Sequence, residues 1–406
     1  MFGELWVAFF FLLLVGGLAG RAWLLAVLGG VGLATVSISW AWATLALERL
    51  TYTRHLSRWR VLAGEETELT VTLANRKPIP VGWARVEDDF PDEIEVIGRE
   101  LEVSSRPRVK VLAHTTSLKP YERVRWTYRL RCPRRGFYRI GPAILRSGDI
   151  FGFFPRFTQV PDEAFLLVFP RPVDLPWPVL LPRRAVGDSR GVEPFHPDPS
   201  RFAGIRDYQP GDSPKTVDWK ATLRRGRLQV RQYDPGASPL LAVVANIDTV
   251  GVVWGGHIPR YLERVVTASA SLVSRAYQEG YSIGLYTNGL SVIYERPLMV
   301  PPARGPEHLT LLLETLAMAG PHVASPIEEV LLREERSFPA GSTLVLITAI
   351  MTAGLREVLD GLARRRKPPL LVWVSDETPE GTPPEVPVLN LGGVLQRLEA
   401  GDGCYP

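Results

Sequence analysis

The first fifty residues are dominated by two long, uncharged apolar runs. They extend from Leu5 to Gly20 and from Ala22 to Leu47, with Arg21 between them. The second run would form about 39 Å of helix at 1.5 Å per residue, which is enough to cross a hydrocarbon core of about 30 Å. The first run, at about 24 Å, spans only if its polar flanks reach the interfaces. The pattern predicts a hairpin of two transmembrane helices over residues 1–48.

The charged residues around these runs predict how the hairpin is oriented. Only Arg21 lies between the runs, whereas four arginines follow the second run: Arg49, Arg54, Arg58 and Arg60. Because basic residues stay on the cytoplasmic side, we expect a two-span protein of the cytoplasmic (inner) membrane with its soluble domains in the cytoplasm. A cleaved signal peptide followed by one span is the alternative, although residues 1–4 carry no Lys or Arg.

Residues 49–165 alternate between apolar and polar positions in short runs. The alternation is clearest in Glu68–Asn75 and Arg123–Cys132, and turn-forming sequences such as Asn75-Arg76-Lys77-Pro78 separate such runs. Helical periodicity of useful length does not occur in this region. The pattern predicts a small antiparallel β-sandwich of immunoglobulin-like type.

A different rhythm begins at residue 239, after a connector over residues 166–238 that is rich in Pro, Arg and Asp. Continuous apolar runs predict buried strands, and the amphipathic stretches between them predict helices. The predicted strands are Leu240–Asn246, Ser282–Thr287, Ser342–Thr348 and Pro369–Val374, and the predicted helices lie near Arg260–Glu279, Glu307–Ala319, Ile327–Glu335 and Gly354–Arg366. This alternation predicts a three-layer α/β domain with a mainly parallel sheet over residues 239–406.

Composition narrows the classes of function. The chain has 406 residues, with 47 Lys and Arg against 43 Asp and Glu, which leaves a net charge of +4. So small an excess gives no reason to expect nucleic acid as a partner. The two cysteines, Cys132 and Cys404, allow at most one disulfide and no four-cysteine zinc site. Whether the two pair is left open.

Common catalytic motifs are missing or misplaced. The sequence contains no HExxH motif, which is typical of zinc proteases, and no GxxxxGK[ST] or GxGxxG motif, which is typical of nucleotide-binding proteins. Neither function therefore has support from its usual signature. Gly280-Tyr281-Ser282-Ile283-Gly284 matches the GxSxG pattern of serine hydrolases, but it lies between a predicted helix and the following strand. A nucleophile elbow needs the opposite order, so the glycines are better explained as the ends of those elements. We expect no enzyme activity, no catalytic residues and no cofactor.

The densest cluster of charged and aromatic side chains lies in Phe202–Pro235. The interaction residues that we single out are Arg206, Tyr208, Asp212, Asp218, Trp219, Lys220 and Arg224. One interpretation is a turn-rich connector with solvated charges. The sharper interpretation is a recognition surface, in which Asp212 and Asp218 orient arginines and Trp219 anchors against the sheet. A nucleic-acid patch is disfavoured because carboxylates are interleaved with the basic residues.

This segment resembles the signature of the bacterial domain-of-unknown-function 58 (DUF58) family. Gly204, Pro210 and Gly211 also fit that signature, while Leu223 stands where the family usually has Ala. Two further segments, Arg134–Phe154 and Val300–Ala317, look like other parts of the family. The resemblance implies a membrane-anchored protein with a von Willebrand factor A-like, Rossmann-type domain. It also implies a protein partner, because relatives often accompany MoxR-type AAA+ ATPases and transglutaminase-like membrane proteins.

Von Willebrand A domains often bind Mg²⁺ through a D-x-S-x-S loop after the first strand, with Thr and Asp from later loops. In this chain Asn246 stands for the first Asp, Ser325 for the Thr and Ala349 for the later Asp. Two anionic ligands are therefore absent, and we expect a degenerate site without a stable metal ion. A shifted register that uses Asp248 and Thr249 is the alternative; otherwise Asp248 caps the following turn.

The leading hypothesis is a membrane-anchored, non-enzymatic scaffold that docks protein partners through a degenerate A-like domain. Its contact surface would combine the loop edge Asn246–Gly255, where Trp254 is a candidate anchor, with the Arg206–Arg225 segment. A Mg²⁺-dependent adhesion or chaperone module is one alternative. The other is an envelope-associated hydrolase that acts through Ser282 or Asp376.

Overall fold

The computed structural model describes residues 2–177, 202–209, 217–233, 240–252, 256–293, 296–334, 343–365 and 368–399. Trp254 and Asp212, two residues of the predicted contact surface, lie outside these ranges. The chain divides into two units at Arg171 and Pro172. The first unit contains the apolar helices and a set of mainly antiparallel sheets, and the second contains the α/β region.

The two apolar runs form helices α1 (Phe2–Ala19) and α2 (Trp23–Ala46). Glycines let the two backbones touch: a Cβ on Gly29 would lie 2.4 Å from the backbone nitrogen of Leu14. Small residues serve this purpose where helices pack inside membranes. Helix α2 is long and apolar enough to span a membrane, whereas the apolar part of α1, Leu5–Ala19, is shorter. The second span and the orientation of the hairpin stay predictions.

The end of α2 is fastened to the β-structure that follows it. The Nζ atom of Lys77, which is buried, donates to the carbonyl oxygens of Ala46 at 2.5 Å and Glu48 at 2.8 Å. These bonds satisfy one carbonyl group in the last turn of α2, which a helix leaves unpaired, and one just beyond it. Burial lowers the pKa of Lys77.

The β-structure of the first unit agrees with the alternating pattern. Its strands are β1 (Leu50–Leu56), β2 (Arg60–Leu62), β3 (Glu66–Asn75), β4 (Val81–Pro91), β5 (Glu95–Val96), β6 (Glu102–Val103), β7 (Val109–Leu118), β8 (Arg123–Arg131), β9 (Gly136–Ile140), β10 (Ala143–Ser147), β11 (Arg156–Val160) and β12 (Ala164–Phe169). One sheet has the order β1-β3-β8-β5, another has β11-β10-β4-β7-β6, and a small third sheet has β2-β12-β9. Leu69, Leu112 and Leu166, one from each sheet, lie in a single buried core. The arrangement is sandwich-like.

The second unit alternates strands and helices. Its elements are β13 (Phe202–Asp207), α3 (Trp219–Arg225), β14 (Gln229–Tyr233), β15 (Leu240–Ala245), α4 (Pro259–Gln278), β16 (Ser282–Ser291), β17 (Pro297–Ala303), α5 (Pro306–Ala317), β18 (Ala319–Val323), α6 (Ile327–Glu334), β19 (Thr343–Thr348), α7 (Ala353–Arg364), β20 (Leu370–Trp373), β21 (Val388–Asn390) and α8 (Gly392–Glu399). The four predicted strands and four predicted helices are all present. Their ends differ from the prediction by one or two residues, except that β16 continues to Ser291.

The main sheet of this unit is mixed. Its strands run in the order β17-β16-β15-β19-β20-β21, and β18 also pairs with β16. Pairing is parallel from β16 through β21, whereas β17 and β18 are antiparallel to β16. Leu241 and Val243 pack in a core with α4, α5 and α8, while the alternate residues Ala242 and Val244 pack with α6 and α7. Both faces of the sheet are covered, as continuous apolar strands require.

Part of the predicted connector packs against this unit. Leu175 is buried in the core beside α4, and Trp177 packs against that core. The backbone N–H of Val173 donates to the hydroxyl of Ser271 on α4 at 2.9 Å. The segment from Val173 to Trp177 is therefore held against α4 and the core of this unit.

Candidate functional site: the strand-end network and the signature module

Three of the four degenerate metal-site positions, Asn246, Asp248 and Ala349, lie where β15 and β19 end. Asn246, directly after β15, donates from Nδ2 to the hydroxyl of Thr348 at 3.0 Å. Its Oδ1 accepts from Nδ2 of Asn288 at 2.8 Å and from the backbone N–H of Asp248 at 3.1 Å. We refer to Asn246, Asp248, Asn288 and Thr348 as the strand-end network. Asn246, Asn288 and Thr348 are buried.

The polar groups of this network satisfy one another. Oδ1 of Asn288 accepts from the backbone N–H of Ile247 at 2.7 Å, and the Thr348 hydroxyl donates to the carbonyl oxygen of Ile350 at 2.9 Å. Neutral amides and a hydroxyl thus join three strands at this edge. Since buried polar groups are costly unless paired, the network stabilises the strand ends.

Asp248 serves the loop that follows β15. Its Oδ1 accepts from the backbone N–H groups of Val250 at 3.0 Å and Gly251 at 2.9 Å. This is the turn-capping role that the sequence offered for Asp248. Ser325 lies between β18 and α6, and Ala349 is buried next to Thr348. Within the described residues, no group of three or more His, Cys, Asp and Glu side chains is placed to hold a metal ion.

Asp376, a hydrolase candidate, lies in an ion-pair cluster after β20. Its Oδ1 accepts from Nη1 of Arg264 at 2.6 Å, and its Oδ2 lies 2.9 Å from Nη2 of Arg260. The hydrogen bond from Arg264 holds the pKa of Asp376 below its usual range. Arg264 is buried and also forms two hydrogen bonds with Glu399, at 2.8 and 2.7 Å. The cluster connects α4, the end of β20 and α8.

Ser282, the other hydrolase candidate, is the first residue of β16. Gly280, with φ +80°, lies in the turn after α4, so the GxSxG sequence joins a helix to a strand, as predicted from the sequence. Among the described residues, no hydrogen bond links the Ser282 hydroxyl to a histidine. Nε2 of His308 instead lies 2.6 Å from the carbonyl oxygen of Ile283. The elements on either side place Ser282 at the amino end of its strand, opposite to the position of a nucleophile elbow.

The family-like segment folds into a small structure of its own, which we name the signature module: β13, α3 and β14. β13 and β14 pair antiparallel. The carboxylate of Asp218 caps α3 by accepting from the backbone N–H of Ala221 at 3.0 Å, and Gly226, with φ +65°, ends the helix. The Thr222 hydroxyl donates to the carbonyl oxygen of Asp218 and accepts from the backbone N–H of Gln229. Caps at both ends explain how so short a helix is held.

Helix α3 presents its aromatic residue to solvent. The side chains of Trp219 and Leu223, one helical turn apart, are 66% and 84% exposed. The interpretation that Trp219 anchors against the sheet is therefore wrong, because all seven residues of α3 are at least partly exposed. Lys220 and Arg224, also one turn apart, are exposed beside this apolar pair.

The remaining interaction residues lie on or next to β13. Arg206 is half-buried, and its Nη1 donates to the carbonyl oxygen of Asp207 at 3.1 Å. Tyr208 is exposed, and its backbone N–H donates to the carbonyl oxygen of Leu228 at 2.9 Å. The structure therefore brings Arg206, Tyr208, Asp218, Trp219, Lys220 and Arg224 into one module.

Comparison with known proteins finds a family match that covers most of the signature module and the α/β elements that follow it in the sequence. Residues 204–389 match the model of the family described as "Protein of unknown function DUF58". The matched region begins in β13 and ends in β21, so the resemblance noted in the signature segment is confirmed.

The chain is also 25% identical over 288 residues to the "Uncharacterized protein YeaD" of Bacillus subtilis (strain 168). The match covers 71% of this chain and 66% of that protein's length, just under two thirds of it.

Solved structures resemble a smaller part of the chain. The CARDB domain of the PF1109 protein from Pyrococcus furiosus is 16% identical with a TM-score of 0.19, and the match covers 30% of this chain and 96% of that one. A cohesin module from a Clostridium perfringens family 33 glycoside hydrolase is 13% identical with a TM-score of 0.21, covering 30% and 98%. TM-scores this low carry no weight for the fold or function of the protein.

Sequence reasoning missed Asn288, the residue that joins β16 to the strand-end network. The missed signal is a pair of asparagines, Asn246 and Asn288, each of which follows a continuous apolar run. Carboxyl ends of neighbouring parallel strands meet at one sheet edge, so two such asparagines are candidates for a direct contact.

Proposed function

We propose that this protein is a membrane-anchored, non-enzymatic docking protein. Its second unit, a von Willebrand A-like, Rossmann-type domain with a degenerate metal site, binds a protein partner through the exposed face of α3. The observation that carries the proposal is the pair formed by Trp219 and Leu223, which stand one turn apart in solvent and add almost nothing to the core.

The chemistry of this face suits protein recognition. Tryptophan and arginine are enriched among the residues that dominate binding energies. Apolar side chains at i and i+4 form the ridge that a short helix inserts into a groove. Lys220 and Arg224 lie along one side of the ridge, and they would orient the helix against acidic side chains of the partner.

The proposed partner is a MoxR-type AAA+ ATPase, the class that the family resemblance suggests. Anchoring through α2, with α1 as the second span, would keep the α3 face in the cytoplasm, where such an ATPase has access to ATP. The candidate catalytic side chains support a role without chemistry of its own. Asp376 is occupied by two arginines, and Ser282 lies at the amino end of β16.

Binding of the detergent-solubilised full-length protein to a purified MoxR-type ATPase tests this proposal. The double variant Trp219→Ala/Leu223→Ala should weaken binding about tenfold or more, since each side chain lies at the centre of the proposed contact. The matched control is Leu332→Ala, which removes an exposed leucine from α6 of the same unit. The control should bind like the wild type.

A variant with reversed charges tests the contribution of Lys220 and Arg224 separately from that of the apolar pair. Lys220→Glu/Arg224→Glu should slow association and reduce its dependence on salt, while dissociation changes less. The proposal is overturned if the double alanine variant binds as tightly as the wild type, or if the folded wild type does not bind the ATPase with or without ATP.

A further inference from the structure

We propose that the loop between β10 and β11, residues 148–155, inserts its tip into the lipid–water interface of the membrane that anchors the chain. The tip consists of Ile150 and Phe151, whose side chains are 67% and 64% exposed. This inference rests on the membrane anchoring that we propose for α1 and α2. It adds a second contact with lipid, made by the sandwich itself.

The loop is built to hold its tip outward. The carboxylate of Asp149, which is buried, accepts from the backbone N–H groups of Phe151 at 3.0 Å, Phe153 at 3.2 Å and Phe154 at 2.7 Å. The indole N–H of Trp83 donates to the carbonyl oxygen of Asp149 at 3.2 Å. These peptide groups find partners inside the protein. That matters at the edge of a bilayer, where unpaired backbone groups are costly.

A row of aromatic rings connects the tip to the first apolar helix. The ring centroids of Phe151 and Phe153 are 5.8 Å apart, and the ring of Phe153 is 5.8 Å from that of Trp6 on α1. Trp6 in turn stacks on Phe10, again at 5.8 Å. The exposed tip is therefore continuous with the apolar surface of α1.

The position of Trp6 identifies lipid as the occupant. Trp6 lies in the first turns of α1, near the amino end of the apolar run, and tryptophans at such positions anchor spanning helices at the membrane interface. The opposite helix, α2, ends on the sandwich through its bonds to Lys77. A loop that contacts Trp6 at this end of the hairpin lies at the depth of the headgroups. Exposed phenylalanine and isoleucine side chains are stabilised there.

A lipid-quenching experiment on the full-length protein tests the inference. The protein is reconstituted into vesicles of phosphatidylcholine and phosphatidylglycerol after a single cysteine is labelled with the fluorophore NBD. Ile150→Cys reports on the tip, and Val103→Cys, 93% exposed on β6 of the same unit, is the matched control. Cys404→Ser removes one native thiol. Cys132 is buried, and burial raises the pKa of its thiol to about 11, so it stays unlabelled near neutral pH.

The expected result is blue-shifted emission at position 150, with quenching by headgroup-proximal spin-labelled lipid that is about threefold stronger than at position 103.

A third label, at Val27→Cys on α2, reports on the anchor. If position 27 is quenched and position 150 behaves like position 103, the loop inference is overturned while the anchoring stands. If position 150 is blue-shifted without quenching by lipid, protein rather than lipid covers the tip. If position 27 is not quenched, both the anchoring and the loop inference fail.

Discussion

Two groups of side chains in the second unit, the strand-end network and the signature module, differ in their exposure to solvent. In the strand-end network, the side chains of Asn246, Asn288 and Thr348 are buried and bonded to one another or to nearby backbone. In the signature module, α3 leaves Trp219 and Leu223 largely exposed. Open α/β sheets usually bind ligands outside the carboxyl ends of their strands. In the described part of this unit, the strand-end network joins β15, β16 and β19 at this edge, whereas α3 carries an exposed apolar pair.

The largest expected effect comes from breaking the network. Asn246→Leu keeps the size of the side chain but leaves the Asn288 amide, the Thr348 hydroxyl and the Asp248 N–H without this partner. We expect the free energy of unfolding of the second unit to fall by about 3 kcal/mol, since each unpaired buried group costs about 1–3 kcal/mol. Urea denaturation followed by tryptophan fluorescence measures this change. A loss no larger than that of the surface control Val252→Ala would contradict the structural role of the network.

Asn246→Asp sharpens the same comparison. The carboxylate retains both acceptor roles, but it loses the donor to Thr348 and places a negative charge at a buried position, so without a cation we expect a loss comparable to that of Asn246→Leu, about 3 kcal/mol. It also places a second carboxylate beside Asp248. Stabilisation of this variant by Mg²⁺, with none of the wild type, would show that one amide separates the edge from an ion-binding site.

The next effect contrasts these amides with a buried group that titrates. His114, in the first unit, lies within hydrogen-bond reach of the Tyr128 hydroxyl. Burial, with a smaller contribution from Arg99, lowers the pKa of His114 from 6.5 to about 4. Between these values the unfolded chain binds more protons than the folded one, so stability falls as the pH drops from 6.5 to 4.

Thermal unfolding of the wild type and His114→Gln across this range measures that contribution. The variant should lose less stability on acidification than the wild type. Asn246→Leu should keep the wild-type pH dependence, because amides do not titrate in this range. Identical slopes for wild type and His114→Gln would contradict the assignment.

A smaller and more local effect is expected at the cap of α3. Asp218→Ala removes the bond to the Ala221 N–H and should destabilise α3 by about 1 kcal/mol. Hydrogen exchange of the α3 amides should become about fivefold faster, with little change in the midpoint of global unfolding. Asp218→Asn retains an acceptor for the cap and is the control. A global loss like that of Asn246→Leu would mean that α3 and the network are not independent.

The smallest effect on stability is expected where the binding effect is largest. Trp219→Ala/Leu223→Ala removes exposed side chains, so the free energy of unfolding should stay within about 0.5 kcal/mol of the wild type. Chemical denaturation checks this. A larger loss would show that the pair packs within the chain, and would weaken the case for a docking face.

Hydrophobic patterning predicted the main elements of the second unit because burial determines them. Leu240–Ala245 is apolar at every position since both faces of β15 are covered, and the amphipathic run after Ile258 became α4. Helix α3 was not predicted from the hydrophobic pattern. It has no buried face, and its limits are set by Asp218 and Gly226 rather than by periodicity. The antiparallel strands β17 and β18 also went unpredicted, because their short runs carry no clear alternation.

The candidate site was harder to predict than the fold. The contact between Asn246 and Asn288 depends on the register of β15 against β16, which pairs Ala245 with Thr287. Residue patterns predict strands but not which residues face each other across them. The exposure of Trp219 had the same difficulty: an isolated tryptophan in a charged segment fits a core anchor and a surface anchor equally well.

The Lys77 bonds to the end of α2 have a mechanical consequence. Few residues separate Ala46, where α2 ends, from Leu50, where β1 begins, and Lys77 holds the carbonyl oxygens of Ala46 and Glu48. The helix and the sandwich are therefore joined without a free hinge. A spanning helix adjusts its tilt to the thickness of the bilayer. With α2 as the span, a change in bilayer thickness would turn the whole sandwich, so that the lipid composition sets the angle between the sandwich and the membrane surface.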